Sequence, residues 1–340
     1  MTSIKDVART VGVSTATVSR ALRGLPRVSE ETRCRVLQVA AELDYVASPS
    51  AASLATGQTR AVGVVVPFVT RWFYGGVVQG AEGLLRDAGY DLLLYNLGGD
   101  RETRRRVFST HLSRKRVDVV LVLSLSPTQE ELTWLRKLDR PVAVVGATVP
   151  GWSSVGIDDQ ETAHIAMQHL LALGHRRIGY IGGSLEDQLD FAAPLDRLLG
   201  YRQAMSSAGL HAQPDWEVVG DFTVRGGLEA MRLLLEAELG LTAVFAASDE
   251  MAVGAVHAIR EAGLRVPQDM SVIGIDDHEM AEFFELSTVA QPVHEQGRLA
   301  AELLLGVLAG DPENPVTPAV VTVPTRLIVR HTTGPLTAPR

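Results

Sequence analysis

The pattern of apolar positions divides the chain into a short N-terminal stretch with helical spacing and a longer stretch with another rhythm. In the first stretch apolar residues recur every three or four positions, which predicts three helices. The inward faces of these helices would carry Val7, Ala8 and Val11, then Val18, Ala21 and Leu22, then Val36, Val39, Ala40 and Leu43. We expect a three-helix core that is only marginally stable, because so short a stretch buries little apolar surface.

The ends of these helices are marked by polar residues and by a glycine. Gly12 interrupts the first two helices, Ser14 and Ser29 stand at N-cap positions, and Glu30 follows in the first turn of the third. Two helices joined by a tight glycine turn are typical of a helix-turn-helix, whose second helix enters the major groove of DNA.

The outer face of the second helix holds the residues that suit a DNA contact: Thr15, Ala16, Thr17, Ser19 and Arg20. Small hydroxyls bond phosphates, and a guanidinium matches the paired acceptors of guanine. We predict that Arg20 reads a base, whereas Lys5 and Arg35 at most touch phosphate. An ordinary helical pair with a polar face remains an alternative, because this spacing alone is not specific.

Residues 48–57 carry a further, shorter helix signal. Ser48 can act as an N-cap, Pro49 fits the first helical position, and Gly57 supplies a stop. So short a helix does not persist alone in water, so we predict that it forms only on DNA or against a copy of itself. A flexible linker is the alternative.

From residue 61 onward, apolar runs of strand length alternate with helical segments. The strands are predicted at 61–67, 91–96, 117–123, 141–146, 177–183, 216–221, 242–248 and 271–276, and the helices near 74–88, 101–114, 128–138, 161–173, 195–208, 225–237, 249–262 and 293–309. Continuous apolar strands between helices predict parallel sheets covered on both faces. The predicted fold is therefore α/β, with an N-terminal all-α helix-turn-helix headpiece and two doubly wound lobes similar to periplasmic sugar-binding proteins.

The predicted boundaries follow from the same rhythm. We assign the headpiece to 1–46, a hinge helix or linker to 47–60 and the two-lobed domain to 61–330. The first lobe would hold 61–158 and 290–320, and the second 159–289 and 321–330. The tail from His331 to Arg340 is polar and contains prolines, so we expect it to be disordered; it has no leucine heptads that would indicate a coiled coil.

A ligand of open parallel sheets binds beyond the carboxyl ends of the strands, where several polar and aromatic residues fall. The candidates are Phe73 and Tyr74 after the first strand, Asp158, Arg197, Phe222, Ser248, Asp276 and Gln291. Aromatic faces stack on sugars or purines, although a single aromatic is as often a core residue. A strand-end acid can also cap a helix or pair on the surface, a role that best fits Asp249 and Asp277.

The run DVARTVGVSTATVSRAL, followed by RVSEETRCRVLQVAAELDYV, resembles the headpiece of the lactose-repressor (LacI/GalR) family of bacterial transcription factors, and the similarity continues to about residue 330. The resemblance implies that Leu54 wedges into the central base step. We also include Arg27 and Ala51 in the predicted DNA-contacting set. It also implies an effector site with Arg197 and Asp276 as anchors and Phe222 as the stacking aromatic.

The sequence departs from this family at several positions. Ala47 and Ser48 replace the usual Pro-Asn pair ahead of the hinge helix, and Ala52 stands where arginine is common. In the cleft, Ser248 replaces an asparagine, and Gly146 stands where the lactose repressor has an effector-contacting aspartate. We expect Arg197 and Asp276 to face each other across the ligand from strand ends of the second lobe.

Charge supports a separate DNA-binding module. The net charge of the chain is −8, but residues 1–60 carry +3, which leaves −11 for the remainder. The 46% hydrophobic and 21% charged content is that of a globular protein, and no apolar run is long enough for a membrane span. The N-terminus shows no apolar export signal, and the single Cys34 cannot form an internal disulfide. We therefore predict a cytoplasmic protein.

No catalytic, cofactor or metal motif is present: neither a P-loop, GxSxG or GxGxxG in context, nor a His/Cys cluster at metal spacing. The leading hypothesis is a homodimeric transcriptional repressor without a cofactor, bound to a pseudo-palindromic operator and controlled by a monosaccharide or disaccharide. A purine co-repressor is the first alternative. A sugar-binding protein for transport and an enzyme on the same fold are less favoured.

Overall fold

The computed structural model describes residues 2–45, 57–114, 116–185, 191–310 and 317–336, and its contacts separate two units, residues 1–60 and 61–340. The predictions made for Ala51 and Leu54 lie outside the described residues. No helix of the described residues is both long and apolar enough to cross a membrane.

The first unit has three helices: α1 (Ile4–Val11), α2 (Thr15–Leu22) and α3 (Glu30–Glu42). The predicted inward faces are confirmed, since Val7, Val18 and Val36 are fully buried in one cluster. The hydroxyls of Ser14 and Ser29 accept hydrogen bonds from backbone amides three residues later, which fixes where α2 and α3 begin.

The second unit contains two six-stranded sheets. The first sheet has the order β11-β5-β4-β3-β1-β2, and all its pairs are parallel. Its strands are β1 (Ala61–Val66), β2 (Asp91–Asn96), β3 (Val119–Leu123), β4 (Val142–Val145), β5 (Ser153–Gly156) and β11 (Val320–Thr322). The second sheet has the order β12-β10-β9-β8-β6-β7, with only the β10–β12 pair antiparallel. Its strands are β6 (Ile178–Gly182), β7 (Glu217–Val219), β8 (Ala243–Ala246), β9 (Ser271–Asp276), β10 (Ser287–Ala290) and β12 (Arg326–Ile328).

Helices cover these sheets and complete the two lobes. In the first lobe they are α4 (Trp72–Asp87), α5 (Arg101–Arg106), α6 (Gln129–Leu138) and α12 (Val293–Ala309); α5 continues as a π turn (Val107–His111) and a 3-10 turn (Leu112–Arg114). In the second lobe they are α7 (Asp159–Ala172), α8 (Ala193–Ser207), α9 (Val224–Glu236), α10 (Asp249–Glu261) and α11 (Met280–Phe283), with a 3-10 turn (Pro214–Trp216).

Apolar strand residues are buried on both sheet faces, as predicted for parallel sheets. In β1, Val64 packs toward the cluster of α4 and α12, and its neighbour Val65 packs toward that of α5, because successive side chains point to opposite faces. Close helix pairs depend on glycine: a Cβ at Gly227 or Gly254 would overlap a backbone carbonyl where α9 crosses α10. The sequence therefore sets the spacing of this helix layer.

The chain crosses between the lobes three times, after β5, after β10 and between β11 and β12. Residues 321 and 322, which the sequence places in the second lobe, pair in the first sheet.

The expectation of a disordered tail is wrong for residues 331–336. Thr332 is buried, its hydroxyl accepts a bond from the Ser287 amide at 2.8 Å, and it donates to the Val272 carbonyl at 2.8 Å. Polar composition misleads here, because these hydroxyls satisfy backbone groups inside the second lobe instead of facing water. Residues 337–340 lie outside the described part.

Candidate functional site

The outer face of α2 is open for contact. Thr15, Ala16 and Arg20 are exposed, whereas Thr17 and Ser19 are partly buried. The guanidinium of Arg20 forms no hydrogen bond or ion pair with any residue that the structure describes in residues 2–45, so it is available to a partner. Arg27, also exposed, has a φ of 69°. The arginine Arg33 instead holds the headpiece together, donating to the Leu25 carbonyl at 3.0 Å.

A cavity lies in the cleft of the second unit, between the carboxyl ends of its two sheets. It provides about 90 Å³ of space for the centres of water molecules. Seven of the eight predicted effector-binding residues line it: Phe73, Tyr74, Arg197, Phe222, Ser248, Asp276 and Gln291. The structure thus brings together residues from six separate elements or loops.

Asp158 is the predicted residue that does not line this cavity. Its carboxylate accepts a hydrogen bond from the Glu161 amide at 2.9 Å and caps α7, and the residue lines a neighbouring cavity of the cleft, so its contact with the effector stays a prediction. The following residue, Asp159, lines the cavity instead. Ser248 also caps a helix, accepting from the Met251 amide at 3.3 Å, although it remains in the cavity wall.

Arg197 is held rigidly in the cavity wall. It lies in α8 and not at a strand end as predicted. Its Nε donates to Asp159 Oδ1 at 2.7 Å, and a terminal nitrogen donates to the Ala247 carbonyl. Its guanidinium lies 5.9 Å from the centre of the Phe222 ring. Arg197 therefore has its counter-ion in Asp159, and one terminal nitrogen of its guanidinium remains for a ligand of the cavity that Arg197 lines.

Asp276, at the end of β9, is the second fixed group. Its Oδ1 accepts from Gln291 Nε2 at 2.6 Å, and Gln291 Oε1 accepts from Gln296 Nε2 at 2.9 Å. Burial raises the pKa of Asp276 to about 6, while the field of Arg197 and the Gln291 hydrogen bond act in the opposite direction. The amide chain and a backbone hydrogen bond from Asp249 fix the carboxyl group in the cavity wall.

Asp249 and Asp277 have structural roles. Asp249 accepts bonds from the Thr288 hydroxyl at 2.7 Å and the His278 amide at 2.9 Å, and Asp277 forms an ion pair with Arg330 at 2.7 Å. These partners agree with the expectation that strand-end acids often cap or pair.

Backbone strain collects around the cavity. Phe222 has a φ of 53°, its neighbour Asp221 one of 51°, and Asp276 one of 129°, values that side-chain-bearing residues rarely adopt. The Phe222 ring lies against Gly183, where any side chain would overlap it. The fold therefore holds the aromatic and acidic groups of the site in orientations that relaxed backbones would not provide.

Phe68 and Arg71, which lie just before α4, and Trp72, its first residue, were not among the predicted effector contacts and join the lobes across the cleft. Arg71 donates to the carbonyls of Asp221 at 2.6 Å and Phe222 at 3.0 Å. The Trp72 ring lies 4.9 Å from the His278 ring, and the Phe68 ring lies 6.5 Å from that of Phe191. An arginine and two aromatics after a strand carry no sequence signal for this role, because they look like ordinary loop residues.

Glu250 is the other cavity residue that the sequence did not single out. It is the second residue of α10, where an acid is expected simply because it favours the helix dipole. Burial, and then the charge of Asp276, raise the pKa of Glu250 to about 7, and Arg71 lowers it. Within the described residues no group of three or more His, Cys, Asp or Glu side chains is placed to hold a metal ion.

Comparisons with known proteins agree with both units. Residues 3–48 match the profile of bacterial regulatory proteins of the lacI family, and residues 167–333 that of a periplasmic binding protein-like domain. The chain is 38% identical to the ribose operon repressor of Escherichia coli (strain K12), covering 90% of this chain and 92% of that protein.

It is also 37% identical to the HTH-type transcriptional repressor PurR of Vibrio campbellii, covering 90% of this chain and 91% of that one. Among solved structures, the lac repressor dimer bound to operator and the anti-inducer ONPF is similar over 98% of this chain and 99% of its own, with a TM-score of 0.86 and 26% identity.

Proposed function

Since the chain belongs to the lacI family of bacterial regulatory proteins, we propose that it is a DNA-binding transcriptional repressor whose operator affinity is set by a small molecule in the cleft. Residues 1–46 form the DNA-binding headpiece, 47–60 the hinge and 61–330 the effector domain. Two chains bind a pseudo-palindromic operator in the cytoplasm. The protein acts by binding and not as an enzyme.

One observation carries the proposal: α2 buries its apolar face on α1 and α3 and leaves Thr15, Ala16 and Arg20 exposed. A recognition helix needs this division, because its outer side chains must reach base edges while its inner ones fix its position. Arg20 suits guanine, and the hydroxyls of Thr15, Thr17 and Ser19 suit phosphates or base edges. Arg27, Ala51 and Leu54 complete the proposed DNA-contacting set.

We propose that the effector is a sugar. The guanidinium of Arg197 donates and the carboxylate of Asp276 accepts, so adjacent hydroxyls on one ring can satisfy both groups. Phe73, Tyr74 and Phe222 supply aromatic faces on which a sugar ring can stack. Two observations on other proteins agree: the ribose operon repressor is 38% identical, and a solved regulator with cellobiose is 33% identical.

The test is a gel shift on the DNA upstream of the chain's own gene, with and without monosaccharides, disaccharides and purines. We expect one retarded complex on a site with two-fold symmetry and a shift in its affinity with a sugar. Specific binding that no sugar alters, but that a purine strengthens, would reject the sugar and leave the repressor. Failure to prefer that DNA over random DNA would reject the regulator itself.

A further inference from the structure

We propose that Glu250 contacts the effector, selecting a ligand that offers a hydrogen-bond donor next to the group held by Asp276 and rejecting ligands that carry a negative charge there. This inference rests on the proposed function, because it concerns the same cleft. It adds a specificity-determining residue to the predicted anchors Arg197 and Asp276.

The first argument is that each of the other charged groups around Glu250 has a partner within the protein. Arg197 is paired with Asp159, Asp276 accepts from Gln291, and Asp249 is bonded by Thr288 and the His278 amide. By contrast, the Glu250 carboxyl accepts no hydrogen bond and forms no ion pair within the residues that the structure describes, although it lines the cavity. A partly buried acceptor without a donor is costly, so a ligand donor placed there gains affinity.

The second argument is the charge of the wall. Of the described residues that line the cavity, Asp159, Glu250 and Asp276 are acidic, and Arg71 and Arg197 are basic. Asp159 neutralises Arg197, whereas Arg71, which donates to the carbonyls of Asp221 and Phe222, offsets only part of the remaining negative charge. Glu250 and Asp276 thus line the same partly desolvated cavity, where each carboxylate disfavours ionisation of the other. An anionic ligand would add a third negative charge, whereas a hydroxyl or amine would relieve the existing pair.

The third argument separates this role from that of a helix-stabilising acid. The first turn of α10 already contains Asp249, and Ser248 caps the helix. An acid at the second position that served only the helix dipole would be as effective facing water, where it would not have to lose its hydration. The position of Glu250 in the cavity wall instead places its carboxyl where a ligand lies.

The experiment uses the full-length protein and the Glu250→Gln variant, which keeps the shape of the side chain but removes its charge. Glu130→Gln is the matched control, because Glu130 is an exposed first-turn acid of α6 that does not line the cleft. The probes are D-ribose, D-glucose and D-galactose, the uronates D-glucuronate and D-galacturonate, and the purines adenine and hypoxanthine. A thermal-shift screen selects the probe that stabilises the wild type most. Calorimetric titration then measures the affinity of each protein for that probe between about pH 6 and about pH 8.5.

We expect a neutral sugar to bind the wild type, and its matching uronate to bind at least about tenfold more weakly. Near pH 8.5, where Glu250 is charged, Glu250→Gln should weaken the sugar by about ten- to a hundredfold, as expected for loss of a charge-assisted bond. The gap should narrow near pH 6, because protonation makes Glu250 neutral in the wild type too. Glu130→Gln should match the wild type throughout.

Equal affinity of Glu250→Gln and wild type, within about twofold across this pH range, would overturn the assignment. So would a uronate that binds the wild type as tightly as its neutral sugar, a result that needs no variant and so remains decisive if Glu250→Gln folds poorly. If a purine is the strongest probe, the sugar in the proposed function fails, and the same variant comparison with that purine still decides the role of Glu250.

Discussion

Asp276 is a buried carboxyl whose role, in ligand binding or in stabilising the fold, can be tested through its effect on stability. Its folded pKa of about 6 lies above the usual value because of burial. For an acid shifted in this direction, the folded protein holds the proton more tightly, so stability falls as pH rises from about 4 through 6. Above pH 6 the folded protein therefore carries the cost of a buried charge that an amide would not have.

We predict that Asp276→Asn leaves the melting temperature at about pH 7.5 unchanged or raised, because the amide still accepts from Gln291 without that charge. Ligand binding should weaken by about 1.5–3 kcal/mol, since a charge-assisted hydrogen bond is lost. Melting curves and an effector titration measure both. A less stable variant with a normal effector response would show that Asp276 serves the fold and not the site.

Arg20 is the residue on which base recognition should depend. Arg20→Ala is predicted to cost about 1–3 kcal/mol on the operator and to relax the preference at one base position, because a paired contact to guanine is lost. Arg35→Ala, on the exposed side of α3, is the control and should weaken all DNA sequences similarly. Binding to an operator library reports both, and an equal loss on operator and random DNA for Arg20→Ala would reject base reading.

At the scale of elements, the sequence predicts the strands and helices that contain long apolar runs or regularly spaced apolar residues. All eight predicted strands and all eight predicted body helices correspond to observed elements. The strands β5, β10, β11 and β12 were missed because they are short and mix polar with apolar residues. In β10, Ser287 and Thr288 are fully buried, yet their hydroxyls bond Thr333 and Asp249 from distant parts of the chain.

Local sequence patterns also explain why some residues of the site were predicted and others were missed. Arg197 and Asp276 were identified through their resemblance to known anchors, whereas Arg71 and Glu250 have ordinary local explanations as a loop cation and a first-turn acid. The choice between Asp158 and Asp159 depends on which of two adjacent carboxylates caps α7, and both have the composition of a cap. Such assignments require the positions of partners far away in sequence.

The C-terminal segment is an element held by polar contacts, so its contribution can be measured directly. We predict that Thr332→Val destabilises the second unit by about 1–3 kcal/mol, because the buried Ser287 amide loses its acceptor and the Val272 carbonyl its donor. Thr133→Val is the control: its hydroxyl bonds the Gln129 carbonyl on an exposed helix face, where water can replace it. Urea unfolding measures the free energy of unfolding of both variants. Equal values for Thr332→Val and Thr133→Val would show that the C-terminal segment contributes little to stability.

At the scale of the whole effector unit, the lobes are joined across the cleft by residues 68–72. Arg71 bonds two carbonyls of the second lobe, and Trp72 and Phe68 each meet an aromatic ring there. Asp221 and Phe222, whose carbonyls Arg71 holds, have left-handed backbones beside the cavity. The same arginine therefore fixes both the separation of the lobes and the loop that carries the stacking ring. A ligand shifts such an arrangement only through contacts that differ between the open and closed forms.

We predict that Arg71→Ala favours an open cleft, because two hydrogen bonds that join the lobes are lost. Both bonds are near the surface, so the shift should be about 1 kcal/mol, or about fivefold in effector affinity. Small-angle X-ray scattering should show a larger radius of gyration without ligand, and the operator response should require more effector. Arg86→Ala, whose ion pair with Glu82 stays within α4, is the control. If Arg71→Ala scatters and titrates like the Arg86 variant, the cleft is held closed by its aromatic contacts and not by Arg71.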